Sequence, residues 1–179
     1  MQKELPVRKK NRLQGYNYSL NGVYYLTLCV KGKHNLLGEV VVKVITNRPQ
    51  IILSDYGKIV DKAINNIPQY YPQINVDKYV IMPNHIHMIL IVGAITNRPD
   101  MDDASGRSIA SGRLIIAPTT VSNVIKGMKS YVTKQIGFSM WQKSFHDHII
   151  LDEEDYWYRW QYIEKNPAKW AEDEFFSAS

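Results

Sequence analysis

Cysteine is almost missing from this chain. Cys29 stands alone among 179 residues, which excludes an intrachain disulfide framework and a cysteine-rich zinc site and fits a reducing compartment. Long apolar runs are missing too. No stretch approaches the roughly 18 apolar residues of a membrane span, and the opening Met1-Gln-Lys-Glu-Leu-Pro6 carries no apolar signal core. The sequence therefore predicts a cytoplasmic protein with no membrane partner. Nucleotide loops are lacking as well: neither G-x-x-x-x-G-K-[ST] nor G-x-G-x-x-G occurs, and Gly127-Met-Lys-Ser130 falls inside a helical pattern. No G-x-S-x-G elbow marks a serine hydrolase.

What is present suits one soluble domain spanning residues 1–179, with 45% hydrophobic residues, 10 Gly and 8 Pro. The 22 Lys+Arg against 17 Asp+Glu give a net charge of +5, which favours a polyanionic partner. Lys3, Arg8, Lys9, Lys10 and Arg12 make a basic N-terminal arm over about residues 1–15, too polar for a core and able to touch phosphates. Between about 93 and 118 the composition turns to Gly, Ser, Asp and Arg, predicting a flexible loop. Ile-Thr-Asn-Arg-Pro occurs at 45–49 and again at 95–99, too short a repeat to be a solenoid unit.

Periodicity supplies the elements. Val23–Val30 reads as a strand entered through Asn21-Gly22, followed by strands over 39–45 and 50–53 joined by Thr46–Pro49. Ser54 or Asp55 caps a helix carrying Val60, Ala63, Ile64 and Ile67 at helical spacing, which Pro68 stops. A strand over 75–82 leads into a second that contains His85 and His87. Apolar residues occupy both faces of this second strand, so it belongs in the middle of a sheet. A helix from Thr119 or Thr120 to Ile136, closed by Gly137, carries the stripe Val121, Val124, Ile125, Met128, Val132 and Ile136. The last helix starts near Asp152, turns Tyr156, Trp160 and Ile163 inward, and ends at Asn166-Pro167.

His85 and His87 flank Ile86 on the strand, so both imidazoles leave the same face roughly 6.5 Å apart, near enough to ligate one ion. In an apolar layer with Ile89 and Ile91 they need polar partners. Tyr131 and Gln135 stand one turn apart at the margin of the helical stripe. Packed on the sheet, that helix would complete a site in which His85, His87 and Gln135 hold an ion and Tyr131 attacks phosphorus. A pair of satisfied core histidines and a metal hydrolase using a zinc-bound water are the competing readings. Imidazole ligands alone lean towards zinc.

Met82-Pro-Asn-His-Ile-His87, Lys129-Ser-Tyr-Val-Thr-Lys-Gln135, Trp141-Gln142 with Asp147-His-Ile-Ile150, and Tyr162-Ile-Glu-Lys-Asn-Pro-Ala-Lys-Trp170 together resemble the REP-associated tyrosine transposases, a branch of the single-tyrosine HUH transposases. The resemblance runs from about Tyr16 to Trp170. It implies an α+β, ferredoxin-like fold, with a central antiparallel sheet and helices on one face. It also implies single-stranded DNA hairpins as partner, Mg²⁺ or Mn²⁺ as cofactor, and cleavage through a 5′-phosphotyrosine intermediate with a free 3′-OH. Carried over by position, His85, His87 and Gln135 become the metal ligands and Tyr131 the nucleophile. With a polyanionic partner, the basic residues Arg8, Lys9, Lys10, Arg12, Lys126, Lys129 and Lys134 are the expected DNA-binding residues, and His148 matches a family position expected to be structural or DNA-contacting. The expected protein is nucleoid-associated and compatible with a homodimer. The alternative is a domesticated protein that binds hairpins without cutting them.

Overall fold

The structure, a computed structural model, describes residues 21–42, 49–93 and 120–176. The basic arm with Arg8, Lys9, Lys10 and Arg12, nearly all of the 93–118 loop, Thr119 and most of the 46–49 connection lie outside the described residues. Four antiparallel strands form the main sheet in the order β4 (Ile74–Ile81), β5 (His85–Val92), β1 (Gly22–Cys29), β6 (His146–Ile150). A separate hairpin pairs β2 (Gly38–Val42) with β3 (Pro49–Leu53). The expected histidine strand is β5, and it is central as its two apolar faces require.

Helices cover both faces of the sheet rather than one. On the first face Tyr24, Leu26 and Leu28 of β1 and Ile86, Met88 and Leu90 of β5 meet α1 (Asp55–Asn65) and α3 (Val121–Ile136) in the larger core. Helix α3 contributes Val121, Val124, Ile125, Met128 and Val132, the stripe read from its periodicity. Each such burial stabilises by about 1.5–3 kcal/mol. On the second face Tyr25 and Ile89 meet Ile150 and Ile163, with Tyr156, Trp160 and Tyr162 of α4 (Glu153–Lys165) packed around them.

Side-chain oxygens set the helix starts. Ser54, Thr120 and Asp152 each accept a backbone N–H at the head of α1, α3 and α4. Gly137 closes α3 in the left-handed region at φ 83°. Gly57 lets α1 meet the preceding chain: a Cβ there would sit 2.0 Å from the Leu37 carbonyl oxygen. Pro68 does not simply stop α1 but opens a one-turn helix, α2 (Ile67–Tyr70). After α4, a 3-10 segment over Asn166–Glu172 returns the chain towards the histidine end of β5. Among the described residues no helix is long and apolar enough to cross a membrane.

Candidate active site

The strand alternation that buries Ile86 and Met88 against α1 and α3 turns His85 and His87 to the opposite face, beneath α4 and the chain that follows it. Both are buried, His85 at 0% and His87 at 2% exposure. Their ring centroids lie 4.6 Å apart.

Hydrogen bonds orient both imidazoles. The amide nitrogen of Asn84 donates to the Lys33 carbonyl at 3.1 Å and to the Phe175 carbonyl at 2.8 Å, which fixes its Oδ1 towards His85 Nδ1 at 2.9 Å. That nitrogen must then carry the proton, so the lone pair of His85 sits on Nε2. His87 Nδ1 lies 2.7 Å from the Tyr25 hydroxyl and 2.9 Å from Thr27 Oγ1, both on the neighbouring strand, where Thr27 is its register partner. Burial lowers both pKa values, that of His85 to about 4 and that of His87 well below its ordinary value, so both rings are neutral at pH 7.

The two Nε2 atoms are buried and have no hydrogen-bond partner. Asp173 faces them, and the ligand atoms of His85, His87 and Asp173 all lie within 4.8 Å of one another. The Asp173 carboxylate is held by Asn166 Nδ2 at 3.0 Å and by the Phe175 backbone N–H at 2.7 Å. Two orphaned nitrogens converging with an anchored carboxylate are costly without a cation and suited to one. The carboxylate adds the hard oxygen donor that Mg²⁺ and Mn²⁺ favour.

Tyr162 of α4 sits beside this cluster, its ring 5.2 Å from that of His87 in edge contact. Burial raises its pKa, the Asp173 and Glu174 carboxylates add to the rise, and the Asn166 side chain partly offsets it as a hydrogen-bond partner. Asn166 is itself buried, and its Oδ1 has no partner. Tyr162 and Asn166 are thus an i,i+4 tyrosine and amide on the side of the helix that faces the histidines.

The structure places two of the expected residues apart from the histidines. Tyr131 and Gln135 belong to α3, on the far side of the sheet; Tyr131 lines a cavity of about 510 Å³ with Tyr70, Tyr71 and Lys134, and Gln135 is exposed. They do not join His85 and His87 within this chain, because α3 packs on the phase of β5 that carries Ile86, Met88 and Leu90 and the histidines point to the other face. The basic residues divide as well. Lys126 and Lys134 are exposed, whereas Lys129 donates to the carbonyls of Gln142 at 3.0 Å and Ser144 at 2.9 Å, and burial lowers its pKa to about 8. It pins the 141–144 segment rather than facing solvent. His148 pairs with Asp155 at 2.5 Å on the α4 side of the sheet.

Asp173, Tyr162 and Asn166 are absent from the expected site. Tyr162 and Asn166 repeat, in Tyr162-Ile-Glu-Lys-Asn166, the spacing sought at Tyr131 and Gln135, so the signal was present. Asp173 has none: an acid in the segment Ala171-Glu-Asp-Glu174 looks like any solvated one.

No family model matches the chain. An uncharacterized protein of Haemophilus influenzae is 31% identical over 177 residues, covering 94% of this chain and 93% of that one. Among solved structures, a REP-associated tyrosine transposase bound to a REP hairpin superimposes with a TM-score of 0.56 at 19% identity, covering 88% of this chain and 74% of the other. The chain therefore belongs to one family with the Haemophilus influenzae protein and has a REP-associated tyrosine transposase-like fold.

Proposed function

We propose that the protein is a divalent-metal-dependent transferase of single-stranded DNA, acting at hairpin-forming, REP-like sequences, with Tyr162 as its nucleophile. The observation that carries this reading is the convergence of the unpartnered Nε2 atoms of His85 and His87 with the Asp173 carboxylate beside the Tyr162 ring. His85, His87 and Asp173 would hold Mg²⁺ or Mn²⁺, with Asn166 adjacent. Such an ion supplies Lewis-acid polarisation of a phosphate oxygen.

The chain's own residues supply the rest. Tyr162 Oη loses its proton to solvent and forms a bond to phosphorus while the bond from phosphorus to the 3′ oxygen breaks. The 3′ oxygen takes a proton, leaving a free 3′-OH and a 5′-phosphotyrosine. Attack on that ester by a 3′-OH of another strand reseals DNA and returns the phenol, with no ATP consumed. Hairpin DNA as partner is supported by the fold shared with a transposase that was solved on a REP hairpin.

The test is a denaturing gel of labelled single-stranded hairpins with Mg²⁺ or Mn²⁺. Wild type and Tyr131→Phe should both yield a cleaved strand and a covalent protein-DNA band, while Tyr162→Phe yields neither. The reverse pattern would assign the chemistry to Tyr131, acting in the histidine site of a second subunit. No covalent band from wild type would leave the domesticated, non-cutting binder, and cleavage by both variants a metal hydrolase.

A further inference from the structure

The Tyr162 site opens into a groove of about 500 Å³ lined by Tyr158 and Gln161 on α4, Lys165 and Asn166 at its end, and Lys169 and Asp173 beyond. Tyr158 and Tyr162 stand one turn apart, and both line this groove. Tyr158 is 62% exposed. The Arg159 guanidinium lies 5.2 Å from the Tyr158 ring and 5.2 Å from the ring of Tyr25, whose hydroxyl touches His87. Asp155 takes its Nε at 3.1 Å; among the described residues its Nη atoms enter no hydrogen bond. Packing accounts for Tyr156, Trp160 and Ile163 on this helix. It does not account for an outward aromatic ring stacked with a guanidinium that keeps its Nη donors, one turn before the nucleophile.

An exposed π-face beside a guanidinium is the chemistry that takes a base and its phosphate from a single strand. We propose that Tyr158 and Arg159 form a nucleotide subsite next to Tyr162: the base adjoining the cleaved phosphodiester stacks on Tyr158, and Arg159 donates to that nucleotide's phosphate. The subsite rests on the reading of Tyr162 as the nucleophile of a single-strand transferase. Asp173, Glu172 and Glu174 also border the groove and repel phosphate, which the Lys165 and Lys169 ammonium groups on the same lining and the neighbouring Arg159 guanidinium offset.

The experiment measures binding by fluorescence anisotropy in a Tyr162→Phe parent, so that no strand is consumed. The probes are one labelled hairpin with a short single-stranded thymidine extension at either end and the same hairpin with none. Tyr158→Leu should weaken the extended hairpin about tenfold or more, and Tyr158→Phe, which keeps the ring, should not. Arg159→Gln should weaken it too and make the salt slope shallower by about 0.7, as loss of one phosphate contact requires. All variants should bind the unextended hairpin like the parent. Equal affinity of the parent and Tyr158→Leu for the extended hairpin overturns the subsite, as does an equal loss on both probes. A covalent band from wild type alongside either result overturns the subsite alone; absence of that band overturns the transferase reading and the subsite with it.

Discussion

At the scale of single residues, the site depends on where protons sit. Asn84 commits both amide hydrogens to carbonyls, so only Oδ1 is left for His85, and the His85 lone pair is directed at Asp173 and His87. Removing that orientation should weaken metal binding without touching a ligand. Asn84→Ala should lower Mn²⁺ affinity by about 10–100-fold in a calorimetric titration, in the range for partners of ligating histidines. Asp173→Asn should lower it as well, and Gln135→Ala should leave it unchanged; a loss in Gln135→Ala would return that residue to the site. The same burial sets a pH dependence in the metal-free protein. Because folding depresses the histidine pKa values, His85 to about 4, the unfolded chain binds more protons than the folded one below about 6.5, the free-histidine pKa. The stability tied to neutral imidazoles is thus fully present above about pH 6.5 and falls as the pH drops towards 4. Denaturant midpoints measured across that window should fall for wild type and fall less steeply for His85→Gln, in which only His87 still titrates this way. The histidine pair was legible in the sequence because a spacing of two on a strand has a fixed meaning. Asp173 was not, because it reaches the site only through the 3-10 segment after α4.

Elements were easier to read than their faces. The stripe of α3, the caps at Ser54, Thr120 and Asp152, and the stop at Gly137 all follow from local chemistry, and each is where its residues suggest. The faces are not legible in the same way: a strand as apolar at Ile86 and Met88 as at Ile89 does not disclose which helix covers which face, and in the structure α4, not α3, lies over the histidines. The division yields a prediction for the two helices. Ile163→Ala and Met128→Ala each remove a buried side chain and should each cost about 2–5 kcal/mol in urea unfolding. Only Ile163→Ala should also slow cleavage under conditions where both proteins remain folded, since Ile163 seats the turn carrying Tyr162. Equal slowing by both would show that catalysis senses global stability rather than the seating of α4.

At the scale of the whole molecule, the sheet divides the described residues between two faces. One face holds the large core with α1 and α3; the other holds His85, His87, Tyr162, Asn166 and Asp173 beside an open groove. The net charge of +5 would attract a nucleic-acid backbone without selecting a sequence, and the proposed chemistry lies on the α4 face. The account's central claim is that Tyr162, not Tyr131, becomes joined to DNA, and tryptic mapping of the covalent complex tests it most directly. Cleavage after Lys129, Lys134, Lys143, Arg159 and Lys165 puts Tyr131 in the peptide 130–134, Tyr156 and Tyr158 in 144–159, and Tyr162 in 160–165. Wild-type protein reacted with a single-stranded hairpin and Mn²⁺ should carry the nucleotide mass on peptide 160–165. The same mass on 130–134 or 144–159 would contradict the site described.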